Sequence, residues 1–241
     1  MLYKKIISDK GKKKLAVLID PDKYNAQSLN EILKICGQCP VDFILIGGSL
    51  ISKSVDNVVE LIKSRVSIPV VLFPGSLLQI STKADAILLL SLISGRNPDF
   101  LIGNHVVAAP FLKQSGIEVI PTGYILVESG NKTSVEYMSN TVPIPSDKID
   151  IIVATAIAGE MLGLKFIYLE AGSGAKYHIP EKVIAEVKKN ISVPLIVGGG
   201  IRNQKQMKAL FNAGADVIVL GNSLENSPEN LLTLTEIFNK F

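Results

Sequence analysis

Short apolar runs alternate with amphipathic stretches along nearly the whole chain. The runs at Leu15–Ile19, Phe43–Ile46, Val70–Phe73, Ala86–Leu90, Glu118–Leu126, Phe166–Leu169, Leu195–Val197 and Val217–Leu220 are continuous rather than alternating. That is the signature of strands buried on both faces, as in parallel sheets. Between them, Asn25–Cys36 carries apolar residues at Leu29, Ile32, Leu33 and Cys36, and Val55–Ile62 and Glu181–Val187 repeat that helical spacing. Pro40, Pro69 and Pro194 fall in turns before strands or at their first residue, where the missing N–H costs nothing. Eight strands, most followed by a helix, predict an α/β fold, a TIM-like (β/α)8 barrel.

Two units depart from the repeat. Only Pro74–Ser81 and a few further residues separate the third strand from the fourth, so a modified or missing third helix is expected. Val127–Ser146, rich in Ser, Thr, Asn and Pro, follows the fifth strand and reads as a mobile lid. No linker composition divides the chain, so residues 1–241 are expected to form a single domain.

Composition narrows the classes. Hydrophobic residues make up 47% and charged residues 20%, enough for a large core. A net charge of +3 without an aromatic-basic stripe gives no reason to expect nucleic acid. Lys4, Lys5, Lys10, Lys12, Lys13 and Lys14 crowd the N-terminus; they read as a solvated segment, or as a weak, transient contact with an anionic membrane surface. Cys36 and Cys39 have C-x-x-C spacing, but no histidine or second pair stands near, so they read as small hydrophobes. Two free thiols and no signal-peptide pattern fit a cytoplasmic protein. The longest apolar run, Ala86–Ile93, is too short to span a bilayer.

The candidate chemistry lies at strand ends. Gly172 and Gly174, then Gly199 and Gly200, then Gly221 and Asn222 follow three successive strands. In a barrel, such glycine turns expose backbone N–H groups at one end of the sheet, a site for a phosphate ester. Glu170 lies beside them as a general base or a structural ion-pair partner. Tyr168, two residues earlier on the same face, reads as a substrate contact or as barrel packing. At the first two strand ends, Asp20, Asp22 and Ser49 share a face. Carboxylate and hydroxyl oxygens suit Mg²⁺, although Asp22 equally suits a helix start and Ser49 an N-cap. Neither His105 nor His178 sits where catalysis would need it, and no G-x-S-x-G motif points to a nucleophilic triad.

Several of these elements coincide with a known family. Leu18-Ile-Asp-Pro-Asp-Lys23, Ile46-Gly-Gly-Ser49, Pro121-Thr-Gly-Tyr124, Tyr168-Leu-Glu-Ala-Gly-Ser-Gly174, Val197-Gly-Gly-Gly-Ile201 and Gly221-Asn222 occur in order across the chain. In this the sequence resembles the geranylgeranylglyceryl phosphate synthases and the related bacterial heptaprenylglyceryl phosphate synthases. The resemblance implies Mg²⁺-dependent prenyl transfer from a prenyl diphosphate to the 3-hydroxyl of sn-glycerol 1-phosphate, in ether-lipid biosynthesis. It implies Asp22 and Ser49 as metal ligands, and Glu170 and Tyr168 as catalytic residues. It places glycerol phosphate on Tyr168, Leu169, Glu170, Ala171, Gly172, Ser173, Gly174, Gly199, Gly200, Gly221 and Asn222. A homo-oligomer is implied too, with helical faces around Met161 and Met207 as contacts or as core.

The lid and the N-terminal arm favour a 20-carbon donor over a 35-carbon one. The prenyl tail is expected to run past the thin third unit and Leu88–Ile93, bounded by Leu101 and Ile102. The rival readings are another phosphate-binding barrel enzyme, to which Asp-Pro-Asp-Lys and Gly-Gly-Ser are poorly suited, and a non-catalytic phospholigand binder, which needs no base.

Overall fold

The computed structural model describes residues 1–9 and 11–240, with only the backbone of residues 239 and 240. Eight parallel strands close into a barrel in chain order: β1 (Lys14–Ile19), β2 (Phe43–Ile46), β3 (Val70–Leu72), β4 (Ala86–Leu92), β5 (Glu118–Leu126), β6 (Phe166–Glu170), β7 (Leu195–Gly198) and β8 (Val217–Leu220). β1 pairs with β8, Lys14 opposite Val217, so no edge is left open. Alternate side chains fill two cores. Phe43, Leu45, Val71, Leu88, Phe166 and Ile196 pack inside the barrel, while Leu15, Ile44, Ile87, Ile167 and Leu195 pack against the helices.

The helices are α1 (Leu2–Ser8), α2 (Ala26–Cys36), α3 (Val55–Arg65), α4 (Asn104–Ser115), α5 (Ser134–Ser139), α6 (Ile149–Met161), α7 (Glu181–Asn190), α8 (Gln204–Ala213), α9 (Asn222–Glu225) and α10 (Asn230–Thr235). The starts of α2, α3 and α8 carry side-chain caps. Asn25 accepts from the Ser28 N–H, Ser54 from Asn57 and Asn203 from Gln206. Between β3 and β4 there is a single 3-10 turn, Leu77–Gln79, so the third helix is missing as the spacing predicts. The long insertion after β5 contains α5, and a bridge between Val127 and Ile144 ties its two ends together.

Helix α1 covers the N-terminal end of the barrel. The backbone N–H groups of Leu2 and Tyr3 donate to the Glu118 carboxylate, Ile6 joins the interior core, and the Tyr3 ring lies 5.4 Å from that of Phe166. Lys4 and Lys5 of α1 accompany this end, as do Lys13, next to β1, and Lys14 at its start, away from the strand C-termini. Not all of them are solvated. Lys14 is buried, with its ammonium 3.0 Å from Asp9 and 3.5 Å from Asp42, and Lys13 donates to the Ala215 carbonyl. Lys10 lies outside the described residues.

Cys36 is buried and its thiol is pushed up to about 12 by burial, which keeps it protonated and inert; Cys39 is free as well. Met207 is core and Met161 is exposed. Among the described residues, no helix is long and apolar enough to cross a membrane.

Candidate active site

The C-terminal ends of the strands surround a cavity of about 960 Å³. One half is a backbone cradle. Gly172, Gly174, Gly199 and Gly200 have φ of +94°, +76°, +85° and +72°, a region costly for any side chain. At Gly199 and Gly200 space forbids a side chain as well. A Cβ on Gly199 would stand 2.5 Å from Glu170 Oε1, and one on Gly200 would stand 2.6 Å from the Tyr177 carbonyl oxygen. The β6 and β8 loops are joined where Ser173 Oγ donates to Asn222 Oδ1 at 3.0 Å. Turns of this kind aim N–H groups at a common point and hold an anion without a charged side chain.

Glu170 ends β6 between the cradle and the rest of the cavity. It is buried, and its Oε1 accepts the Gly172 N–H at 2.6 Å. Burial pushes its carboxyl up to about 7, against the opposing effects of the Gly172 N–H, the Tyr168 hydroxyl and the Ala171 N–H. Tyr168 is fully buried, and its hydroxyl stands beside Glu170 without a hydrogen bond of ordinary geometry. Its ring stacks on Phe73 at 5.3 Å and meets Tyr124 at 5.4 Å, so three aromatic rings lie under the acid. Burial raises both tyrosine hydroxyls well above their usual range, which keeps them neutral.

Strand alternation turns two of the expected side chains away from the cavity. Leu169 and Ala171 point to the helix-side core and do not line the cavity, whereas Tyr168, Glu170, Gly172, Ser173 and Gly174 do.

The acidic pair at the other side of the mouth also differs from expectation. Asp22 is exposed, and its carboxylate accepts from Ser52 N at 2.8 Å, Ser52 Oγ at 2.9 Å and Lys53 N at 3.1 Å. These bonds hold its carboxyl below the usual range and brace the loop after β2. Asp20 faces the cavity instead, beside Lys23 and Ser49. Its Oδ1 accepts the Asp22 N–H at 3.0 Å, its Oδ2 lies over Gly48, and burial raises its carboxyl. Glu225, from α9, lines the same rim; burial raises it too, and Lys23 opposes that rise. Ser49 caps no helix, because Ser54 starts α3. Among the described residues, no cluster of three or more His, Cys, Asp or Glu forms a ready-made metal cage.

The remaining wall is apolar. Leu77, Ile80, Leu89, Phe100, Ala108 and Met138 line a trough that passes the thin third unit. Leu101 and Ile102 do not line it, because a π-helical turn over Asp99–Gly103 presents Phe100 instead. Gln79, which the sequence does not single out, joins two loops. Its Nε2 donates to the Gly48 carbonyl at 2.7 Å and its Oε1 accepts the Gly75 N–H at 2.9 Å. His105 lines the trough with Nε2 3.0 Å from Ser91 Oγ, and burial lowers its pKa; His178 does not reach the cavity.

A closed parallel barrel with a backbone anion cradle after β6, β7 and β8, an acid at its edge and an apolar trough opposite defines a phosphate-binding (β/α)8 barrel built to hold a second, lipophilic group. Comparison with known proteins narrows this: residues 8–238 match the PcrB family, and the chain belongs to that family, among the geranylgeranylglyceryl phosphate synthases. It is 53% identical to the geranylgeranylglyceryl phosphate synthase of Chitinophaga pinensis over 90% of this chain and 86% of that one. It is 44% identical to that of Pyrococcus furiosus over 88% and 84% of the two chains. The crystal structure of (S)-3-O-geranylgeranylglyceryl phosphate synthase from Thermoplasma acidophilum, in complex with sn-glycerol-1-phosphate, superposes with a TM-score of 0.93 at 34% identity, covering 99% of this chain and 98% of that one.

Proposed function

We propose that the protein joins a prenyl diphosphate to the 3-hydroxyl of sn-glycerol 1-phosphate, as the names of its relatives indicate. The observation that carries this reading is the position of Glu170, a buried acid between an anion cradle and an apolar trough. The cradle holds the glycerol phosphate and turns its free hydroxyl towards Glu170. The trough takes the prenyl chain, a 20-carbon one by likeness to the relatives, with its C1 next to that hydroxyl. The hydroxyl oxygen forms the new C–O bond to C1, the bond from C1 to the diphosphate oxygen breaks, and its electron pair leaves with diphosphate. Glu170 accepts the hydroxyl proton. The three rings at Phe73, Tyr124 and Tyr168 exclude water beneath the reacting atoms.

Hard oxygen donors suit a Mg²⁺ ion, and the cavity-facing Asp20 and Ser49 fit it better than Asp22, whose lone pairs are already engaged by the loop after β2. When bound, the cation would neutralise the diphosphate leaving group. A cytoplasmic, homo-oligomeric enzyme completes the reading; exposed Met161 offers a contact and buried Met207 does not.

The test is ether-lipid formation from labelled glycerol 1-phosphate with 15-, 20- and 35-carbon prenyl diphosphates in detergent, with and without Mg²⁺. A Mg²⁺-dependent ether is expected, best with the 20-carbon donor. No ether with any donor would reject the reading.

A further inference from the structure

Large apolar side chains are exposed on one half of the cavity rim. Strand order in the barrel follows chain order, so the loops after β2, β3, β4 and β5 form one uninterrupted arc. Each carries such a side chain. Leu50 follows β2, Leu78 follows β3 with 94% of its surface exposed, Ile102 follows β4, and Tyr137 and Val142 follow β5, Val142 with 80% exposed. Leu50 and Tyr137 also line the cavity, so the exposed surface and the trough are continuous. Among the described residues, the turns after β6, β7, β8 and β1 expose one comparable side chain, Tyr177, whose ring lies 5.2 Å from the Lys176 ammonium.

Leaving leucine and valine in water at loop tips is unfavourable, and apolar exposure grouped on one arc marks an interaction surface. A second copy of the chain seated there would cover the opening through which the cavity is reached. A lipid surface would cover it with an apolar medium placed directly against the open side of the trough.

We propose that the arc formed by the loops after β2, β3, β4 and β5 docks on a lipid bilayer, so that the prenyl chain passes between membrane and trough without crossing water. This rests on the prenyl-transfer reading for the identity of the tail. It also moves the membrane contact expected from the N-terminal lysines to the opposite end of the barrel, since α1 and its lysines cover the N-terminal end. The contact is apolar, so it differs from a basic patch in its response to salt.

The test uses Leu78→Asp combined with Val142→Asp. Neither residue lines the cavity and both are largely exposed, so folding and turnover on detergent-solubilised donor should be unchanged. The readouts are sedimentation with phosphatidylcholine vesicles with and without 20% phosphatidylglycerol, and turnover on donor presented in those vesicles. The wild-type protein is expected to sediment with both vesicle types, with little loss at high salt. The double variant should lose about tenfold or more of that binding and a similar factor of vesicle-presented turnover. Wild-type protein that stays in the supernatant, a variant that sediments as well as wild type, or binding that needs phosphatidylglycerol and disappears in salt would each overturn the proposal. So would a variant whose only change is a smaller oligomer by light scattering, which would assign the arc to a second copy. If wild-type protein binds vesicles through the arc but makes no ether in detergent, the docking stands and the transferase reading fails.

Discussion

Burial of Glu170 outweighs the short bond from the Gly172 N–H, which favours the charged form, so its titration is pushed up to about 7 from the ordinary 4.5 of a glutamate. A base must be ionised to act. Activity on limiting substrate should therefore rise with pH through an inflection near 7 and then level off. Glu170→Gln should lower turnover by about 10²–10⁴-fold while glycerol phosphate affinity, measured by calorimetry, changes little. Unchanged turnover would remove Glu170 from the chemistry. The same burial has a cost. The folded protein binds this proton more tightly than the unfolded chain, so stability falls as pH rises from near 4.5 to about 7. Glu170→Gln should flatten that part of a melting-temperature profile.

The two aspartates of Asp-Pro-Asp give a second contrast. Asp20→Asn should abolish the response of turnover to added Mg²⁺. Asp22→Asn should keep that response and loosen the loop after β2, seen as faster amide exchange at Ser52 and Lys53. The reverse pattern would return the cation to Asp22. The place of Glu170 at a strand end could be read from the sequence. Which of Asp20 and Asp22 faces the cavity could not, because it depends on backbone N–H groups at Ser52 and Lys53, some thirty positions away. That Leu169 and Ala171 face outward follows from strand periodicity alone, once β6 is taken to run through Glu170.

At the level of elements, the missing third helix was visible as a short interval between two apolar runs. How the gap is held was not. A Gly-rich loop after β2 and another after β3 lie so close that a Cβ on Gly75 would be 2.4 Å from the Gly48 carbonyl oxygen, and Gln79 bonds to both. No local pattern marks a lone glutamine in a 3-10 turn for such work. Gln79→Leu removes its bonds to the half-buried Gly48 carbonyl and the exposed Gly75 N–H, so a loss of roughly 0.5–1.5 kcal/mol in urea unfolding is expected. KM for the prenyl donor should rise more than KM for glycerol phosphate, because the trough borders this unit and the cradle does not. Equal changes in both would make Gln79 a purely structural residue. The long insertion after β5 was visible in its composition, but α5 and the Val127–Ile144 bridge were not, since a six-residue helix carries too little periodicity to stand out.

For the molecule as a whole, the barrel was legible because strands buried on both faces leave continuous apolar runs, and eight of them with interleaved helices have few other ways to close. The role of the N-terminus was not legible. Its lysines suggested a solvated tail, yet the apolar residues beside them, Leu2, Tyr3 and Ile6, pack with the interior core and hide one end of the barrel. Glu118, which accepts the N–H groups of Leu2 and Tyr3, is the anchor. Glu118→Ala should free α1, lower the melting temperature by several degrees, and make the first nine residues the earliest site of trypsin cleavage at Lys4 and Lys5. Resistance equal to that of wild type would mean that the helix is held by its apolar contacts alone.

With that end covered by α1, the chamber opens at the C-terminal ends of the strands. Both reactants, the departing diphosphate and the finished ether all use the mouth, and they must do so in turn. A long-tailed product still lying in the trough occupies the berth of the next donor. It should therefore inhibit competitively against prenyl diphosphate, and the pace of the enzyme at high substrate would be set by how fast the mouth clears.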